Sequence, residues 1–359
     1  MPLAELTTLG VGGEARFFLE AHAERTVVEA LAWARAASLP VLVLGGGSNL
    51  LVADRGVEAL VLRVRIAGIA AHAEGACAVV RAGAGEAWDP LCAHAVGEGW
   101  AGVECLAGIP GDVGATPIQN VGAYGQEVAE TITEVRALDR TSGSAVRFDR
   151  AACGFGYRDS VFKRGGRDRY VVVAVTFALR RGGPPTVRYP ELQRALGAPA
   201  EATRPSLAQV RAAVLALRRT KSMVLDRSDE NHRSAGSFFM NPVVAVDELE
   251  RVRGRVTEAG VLGPGEVMPE FAAAEGRVKL SAAWLIERAG FAKGMAEGAV
   301  GISTRHTLAI VNRGGATAAA IVGFARRVRD RVDARFGVQL TKEPVFVGFT
   351  PREIEGLEG

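Results

Sequence analysis

The chain has 359 residues, 48% hydrophobic and 23% charged, with a net charge of +3, which is a composition for two or three folded domains and excludes disordered or fibrous classes. So small a charge, with no stretch that interleaves Lys or Arg with stacking aromatics, excludes a nucleic-acid binder. The longest uncharged run, between Arg35 and Asp54, is broken by Pro40 and by Gly45 to Asn49, which excludes a membrane-spanning helix there.

The opening MPLAELTTLG has no basic n-region, apolar h-region or small-residue cleavage site, so the expected location is cytoplasmic. Thr26 to Ala37 is expected to be a helix opened by a capping box of Thr26 and Glu29, stopping before Pro40. A buried strand, Val41 to Leu44, leads into the glycine turn Gly45, Gly46, Gly47, Ser48, Asn49, followed by apolar Leu50 to Val52 and a strand from Ala59 to Val64. Ala78 to Ala82 is expected to be a short strand, and Glu86 to Gly97 a helix carrying Trp88, Leu91, Cys92 and Ala95.

From Gly102 to Val128 no periodicity is visible. Unstructured segments of this length inside compact domains are usually functional. Tyr170 to Leu179 is a strongly apolar strand, and Ser206 to Arg219 a helix with Ser206 and Gln209 as its capping box. Beyond it come a helix over Ser281 to Ala289 stopped by Gly290, a strand over Thr307 to Val311, an amphipathic helix over Thr317 to Phe336 and a strand over Val345 to Gly348. Mixed elements of this kind indicate an α/β or α+β class.

Four cysteines, Cys77, Cys92, Cys105 and Cys153, are far apart with no C-x-x-C pair, and the five histidines are scattered, so neither a disulfide framework nor a metal site is expected. The Gly45 to Asn49 turn offers backbone N–H groups clear of side chains. That suits a pyrophosphate or, equally, a tight turn whose glycines serve only the backbone. No G-x-G-x-x-G follows a strand, and the P-loop pattern does not occur. The second glycine-rich stretch, GIPGDVGATPIQNVGAYGQE, adds Thr116, Gln119, Asn120 and Tyr124 as donors or acceptors. Two phosphate-capable loops suit a long cofactor with a pyrophosphate at its middle. The other groups with chemical potential are Arg158 in FGYRDSVFK, Ser237 in AGSFFMNP and Glu343 in LTKEPVFVGF, and each alone is unremarkable. The hydrolase elbow G-x-S-x-G is absent.

Taken together, TTLGVGGEARFF, LGGGSNLLV, GIPGDVGATPIQNVGAYGQEV, FGYRDSVFK, AGSFFMNPVV and KEPVF resemble, in order and over nearly the whole chain, the UDP-N-acetylenolpyruvoylglucosamine reductases (MurB). The resemblance implies an α+β fold: a two-lobed FAD-binding domain of the vanillyl-alcohol-oxidase (PCMH) type over residues 1–219, with lobes at about 1–65 and 66–219. A smaller α+β substrate-binding domain over 220–349 and a tail over 350–359 complete it. It implies noncovalent FAD, NADPH as reductant, and a nucleotide-sugar substrate in peptidoglycan precursor synthesis, acting as a monomer. By the same resemblance FAD is held by Gly45, Gly46, Gly47, Ser48, Asn49, Leu50, Ile109, Pro110, Gly111, Gly114, Ala115, Gln119, Asn120, Gly122, Ala123 and Tyr124. Tyr189, matching the tyrosine that one subtype of the family places over the substrate diphosphate, Lys221 and Asn241 are implied substrate contacts.

Arg158 and Glu343 are implied to flank the substrate carboxylate while charge accumulates on it, and Ser237 to protonate the α-carbon, directly or through a water relay. The insertion SMVLDRSDENHRSAG after Lys221 is a surface excursion or a lid. His306 is a substrate neighbour or purely structural. Two other readings stay open: another flavin oxidoreductase of this fold, expected to carry a residue tethering the flavin, or a nonenzymatic flavin or nucleotide-sugar binder.

Overall fold

A computed structural model describes residues 1–165, 168–197 and 204–357. The last two residues of the expected tail lie outside this set. The chain divides into two compact units that do not follow its linear order. One comprises Ala15–Gly46 and Glu58–Leu225; the other comprises Met1–Glu14, Gly47–Val57 and Asp226–Gly359.

The larger unit is organised by Tyr170–Arg181, a strand rich in β-branched residues that is buried along most of its length. Such a run pays no polar desolvation when covered on both faces, so it takes the middle of a sheet. It pairs antiparallel with Ile132–Asp139 on one side and Cys77–Gly83 on the other. Ala145–Asp149 and Ile69–Glu74 form the outer strands. Ile69–Glu74 is exposed at every position; without a buried face it leaves no hydrophobic alternation to read, and only hairpin pairing with Cys77–Gly83 reveals it. Trp88, at the start of helix Trp88–Gly97, is buried against Phe177 at 5.8 Å and donates its indole N–H to the Leu106 carbonyl at 3.0 Å.

A second lobe of the same unit is a three-stranded sheet ordered Ala15–Ala21, Val57–Val64, Val41–Leu44. Val41–Leu44 pairs parallel to Val57–Val64 with Val41 opposite Leu60. The helix between Ala15–Ala21 and Val41–Leu44 runs over Glu24–Ala36, two residues ahead of the Thr26 start that the capping pattern suggests. Thr26 lies inside the helix, Ala23 is its N-cap without a side-chain bond, and Glu29 accepts from Arg25 instead. Glu24 supplies the first-turn negative charge and is held there by Nε and Nη2 of Arg136 at 2.9 and 2.8 Å.

Helix Leu207–Thr220 begins where expected, with Ser206 and Gln209 forming a reciprocal capping box. Ser206→Ala removes the acceptor for the Gln209 N–H and should lower unfolding free energy by about 1 kcal/mol. A denaturant midpoint shift with unchanged slope is the readout; no shift would mean the cap contributes nothing.

The smaller unit is built around helix Ala318–Phe336, which buries Ile321, Phe324, Ala325, Val328, Val332 and Phe336. It ends at Gly337 in the left-handed region, φ 68°. Its N-terminus is capped by Thr317 and by Asp54, whose two carboxylate oxygens accept from the Ala318 and Ala319 N–H groups at 2.7 and 3.0 Å. Leu50–Val52 pairs parallel with Val345–Val347. The Asn312 side chain donates to the Leu9 carbonyl at 3.0 Å. These bonds knit both N-terminal pieces into a core shared with Phe238, Phe239, Leu280 and Ile310. The late strand is Ile310–Asn312, shorter than the expected Thr307 to Val311, because Ser303 to Ala309 forms a turn. Helix Val246–Glu258, burying only Leu249, Val252 and Val256 among charged residues, is an addition of the structure.

Among the described residues no helix is long and apolar enough to cross a membrane. No group of three or more His, Cys, Asp or Glu among them could hold a metal ion.

Candidate functional site

In the larger unit the two glycine-rich segments meet. A Cβ on Gly46 would lie 2.8 Å from the Gly111 Cα, and one on Gly45 would lie 3.6 Å from Asp112 Oδ2. Backbone this close admits no side chain at Gly46, and that is the surface a pyrophosphate needs, since its oxygens are best met by main-chain N–H groups. The residues present therefore fit a dinucleotide cofactor.

Downstream, the Gly102 to Val128 segment is short 3-10 turns and a two-stranded hairpin, Gly122–Ala123 with Gln126–Glu127. Asn120 organises it: 1% exposed and at φ 45°, it donates to Glu127 Oε2 at 2.7 Å and to the Gly156 carbonyl at 3.0 Å, and accepts from the Ala129 N–H at 3.1 Å. Both amide protons are spent on the protein, so the side chain braces the loop. Pro110, Gly111, Gly114, Ala115 and Gln119 lie on the stretch that Asn120 ties down.

Arg158 sits inside a tight backbone turn in which Gly156 and Asp159 exchange N–H···O bonds of 3.0 and 3.2 Å. Its φ is 53°, a left-handed conformation unfavourable for a residue with a Cβ. Lys163 Nζ donates to its carbonyl at 2.8 Å, and its own Nη2 donates to the Gly122 carbonyl at 3.0 Å. The guanidinium approaches so closely that a Cβ on Gly122 would lie 3.3 Å from Nη1.

Tyr124, Tyr189 and Lys221 come together in this unit. The two rings stand edge to face at 5.5 Å, and Lys221 Nζ lies 5.8 Å from the Tyr124 centroid while pairing with Glu191 at 2.6 Å. Burial pushes the Tyr124 hydroxyl up to about 12. Tyr189, though 39% exposed, is raised by the same cause. Both phenols therefore remain neutral donors at physiological pH.

Beside them sits Arg218, which sequence reasoning did not single out. It is buried enough that desolvation brings its pKa down to about 10. Its Nη2 donates to the Met223 carbonyl at 2.6 Å, and its buried Nε has no hydrogen-bond partner among the described residues. The sequence signal was RRTK at a helix C-terminus: three cations in four residues cannot all face solvent when the helix docks.

The smaller unit brings Ser237, Asn241, Asn49 and Glu343 into one neighbourhood. Ser237 precedes Phe238 and Phe239, both fully buried. The Phe238 N–H donates to the Leu308 carbonyl at 2.8 Å, and its carbonyl accepts from the Glu343 N–H at 2.9 Å. Phe239 forms a bridge with Lys342. Asn49 Nδ2 donates to the Glu343 carbonyl at 3.3 Å, and the Asn49 carbonyl accepts from the Val345 N–H at 2.9 Å. Asn241 Oδ1 accepts from the Ala282 N–H at 3.0 Å, capping helix Ala282–Arg288. Gly47, at φ 66°, packs onto the Leu6 carbonyl, and Ser48 accepts from the Thr8 hydroxyl at 3.3 Å.

The insertion after Lys221 is tied down from Asp226 onward. Asn231, 1% exposed, bonds to Thr304 through both ends of its amide at 2.9 and 3.0 Å, and the Arg233 carbonyl accepts from the Asn312 N–H at 2.9 Å. The His306 N–H donates to the Ser303 hydroxyl at 3.3 Å within the same turn.

Residues 15–149 match the family model described as FAD binding domain. Fold and site together thus define a class, the FAD-binding proteins. Residues 228–347 match the model of the UDP-N-acetylenolpyruvoylglucosamine reductase C-terminal domain. The reductase of that name from Thermobifida fusca is 49% identical over 98% of this chain and 98% of its own length. That from Nocardia farcinica is 52% identical over 96% and 88%. The crystal structure of the Thermus caldophilus enzyme superposes with a TM-score of 0.64 at 26% identity, covering 97% of both chains. This chain belongs to the UDP-N-acetylenolpyruvoylglucosamine reductase family. Its fold is accordingly the α+β type, a two-lobed FAD-binding region with a smaller α+β domain.

Proposed function

We propose that Arg158, Ser237 and Glu343 carry the chemistry of an FAD-mediated, NADPH-dependent reduction. The reaction, that of the family, converts UDP-N-acetyl-3-O-(1-carboxyvinyl)-glucosamine to UDP-N-acetylmuramate for peptidoglycan. The observation that carries the reading is the full-length match, 49% identity over 98% of the chain, in a chain that retains all three groups.

When bound, FAD supplies the hydride that adds to the terminal carbon of the substrate's double bond, and NADPH reloads it. Addition there drives negative charge onto a carboxylate that is already an anion, so the barrier depends on charge placed in advance. Arg158 supplies that charge as a permanent cation. Its donors are fixed by a strained turn, so little reorganisation is needed as charge develops. Glu343 assists as the neutral acid, donating its proton in a hydrogen bond to the same carboxylate. Ser237 delivers the proton to the α-carbon, so two hydrogens are added in all: hydride at one carbon, proton at the other. Phe238, bonded on both sides, fixes the backbone behind this hydroxyl.

Gly45, Gly46, Gly47, Ser48, Asn49 and Leu50 with Ile109, Pro110, Gly111, Gly114, Ala115, Gln119, Gly122, Ala123 and Tyr124 form the FAD seat, braced by Asn120. Tyr189, Lys221 and Asn241 meet the nucleotide sugar, a lysine being an effective point charge against diphosphate. Buried Arg218 adds a second cation beside Tyr124. The division into FAD-binding residues 1–219 and substrate-binding residues 220–349 belongs to the same proposal, as do a cytoplasmic location and a monomeric state.

The direct test is anaerobic. Flavin reduced by NADPH should reoxidise on addition of the enolpyruvyl substrate and stay reduced with other enol ethers. Flavin that remains reduced with the enolpyruvyl nucleotide sugar would refute the reading.

A further inference from the structure

Asp112 sits where the two glycine-rich segments meet, and neither its burial nor its bonding suits an ordinary carboxylate. It is 6% exposed, and its Oδ2 has no hydrogen-bond partner among the described residues. A Cβ on Gly46 would lie 3.4 Å from its Oδ1, and one on Gly45 would lie 3.6 Å from its Oδ2. The nearest cation is Arg65, whose Nη1 is 3.9 Å from Oδ2, outside hydrogen-bond reach. Arg63 acts only through its charge, its Nη1 being engaged by Glu20 at 3.0 Å. From the segment packed against the other side, the Glu86 carboxylate accepts from the Gly68 N–H and the Glu86 carbonyl from the Val113 N–H. Among the described residues no donor makes a hydrogen bond to Asp112 Oδ2.

A pyrophosphate presents only acceptor oxygens at neutral pH. A carboxylate facing it is repelled, whereas a carboxylic acid has one proton to give. We propose that Asp112 is an FAD-binding residue that meets the cofactor pyrophosphate as the neutral acid, donating its single proton to a phosphate oxygen. The proposal rests on the assignment of the glycine-rich loops as the FAD seat. Burial already pushes the Asp112 pKa upward, opposed by Arg65 and Arg63, so the cofactor completes a trend present in the apoprotein.

The linkage has a definite sign. FAD binds the protonated form, so binding takes up a proton. Affinity is highest below the apoprotein pKa of Asp112 and falls by roughly tenfold per pH unit above it, until the bound-state pKa is passed. Holoenzyme equilibrated over a pH series from the ordinary carboxylate range, about pH 4, to about pH 9 should release FAD progressively as pH rises, read as fluorescence of the ultrafiltrate. Asp112→Asn keeps a neutral donor and should hold FAD with a flat profile. Asp112→Ala should bind roughly tenfold more weakly or worse throughout.

A flat parental profile, an Asp112→Asn variant that keeps the parental slope, or an Asp112→Ala variant as tight as the parent overturns the proposal. Calorimetric reconstitution of the parent in buffers of different ionisation enthalpy reads proton uptake without any variant. Zero uptake or release over the range where affinity changes also overturns it. NADPH and UDP-N-acetylglucosamine should bind Asp112→Asn holoenzyme as they bind the parent; a loss there would place a different pyrophosphate at Asp112, against the proposal. Gly46→Ala tests the seat separately: undiminished FAD content in that variant refutes the loop assignment itself, whatever Asp112 does.

Discussion

Ser237→Ala should leave reduction of the flavin by NADPH near its parental rate while slowing reduction of the enolpyruvyl substrate by roughly 10²- to 10⁴-fold. The split follows from where the hydroxyl acts. NADPH oxidation needs no proton at the substrate's α-carbon, so removing Oγ leaves that half-reaction alone. The substrate half-reaction ends with a strongly basic carbon that must be protonated, and alanine offers nothing to it. The fold should tolerate the change, because the adjacent Phe238 is held through its backbone N–H and carbonyl and its ring is fully buried. Stopped-flow absorbance of the flavin, followed anaerobically in each direction, separates the two rates. Undiminished reoxidation by substrate would remove Ser237 from the mechanism.

Arg158→Lys should lower kcat by roughly 10²-fold or more although the formal charge is kept. A guanidinium presents a planar fork to a carboxylate; an ammonium is a point charge that cannot hold the same two oxygens. The substitution also gives up the Nη2 bond to the Gly122 carbonyl, so the shorter side chain loses its direction. Lysine meets the same left-handed backbone at φ 53°, so the strain is common to both proteins and stability should change little. Circular dichroism and FAD content control for folding. A variant with parental kcat on the enolpyruvyl substrate would refute the assignment.

The parts of this site that could be read in the sequence are those where chemistry restricts residue type. Loops that approach a phosphate need glycine, and prolines between them fix the path, so Gly45 to Gly47 and the Ile109 to Tyr124 stretch stand out from ordinary connections. The helix at Ser206 was legible because its reciprocal cap lies wholly within four consecutive residues. At Thr26 the same pattern failed. The chain leaves strand Ala15–Ala21 so close by that Glu24, held by Arg136, already starts the helix. Arg218 and Asp112 escaped for a related reason: a charged residue is read as solvated until its surroundings show that water has been removed.

The sequence alone determined the class of fold, the glycine-rich loops, the well-capped helices and, through six ordered motifs, the family. Those features are local, set by backbone conformation and side-chain pattern over a few residues. Tertiary structure alone decided which pieces share a core. Leu50–Val52 finds its strand partner at Val345–Val347, Leu9 is bound by Asn312, and Asp54 caps a helix that starts at Ala318. Such pairings depend on apolar faces and hydrogen-bonding edges that complement one another across hundreds of residues, and hydrophobic periodicity carries no record of which distant partner will cover a given face.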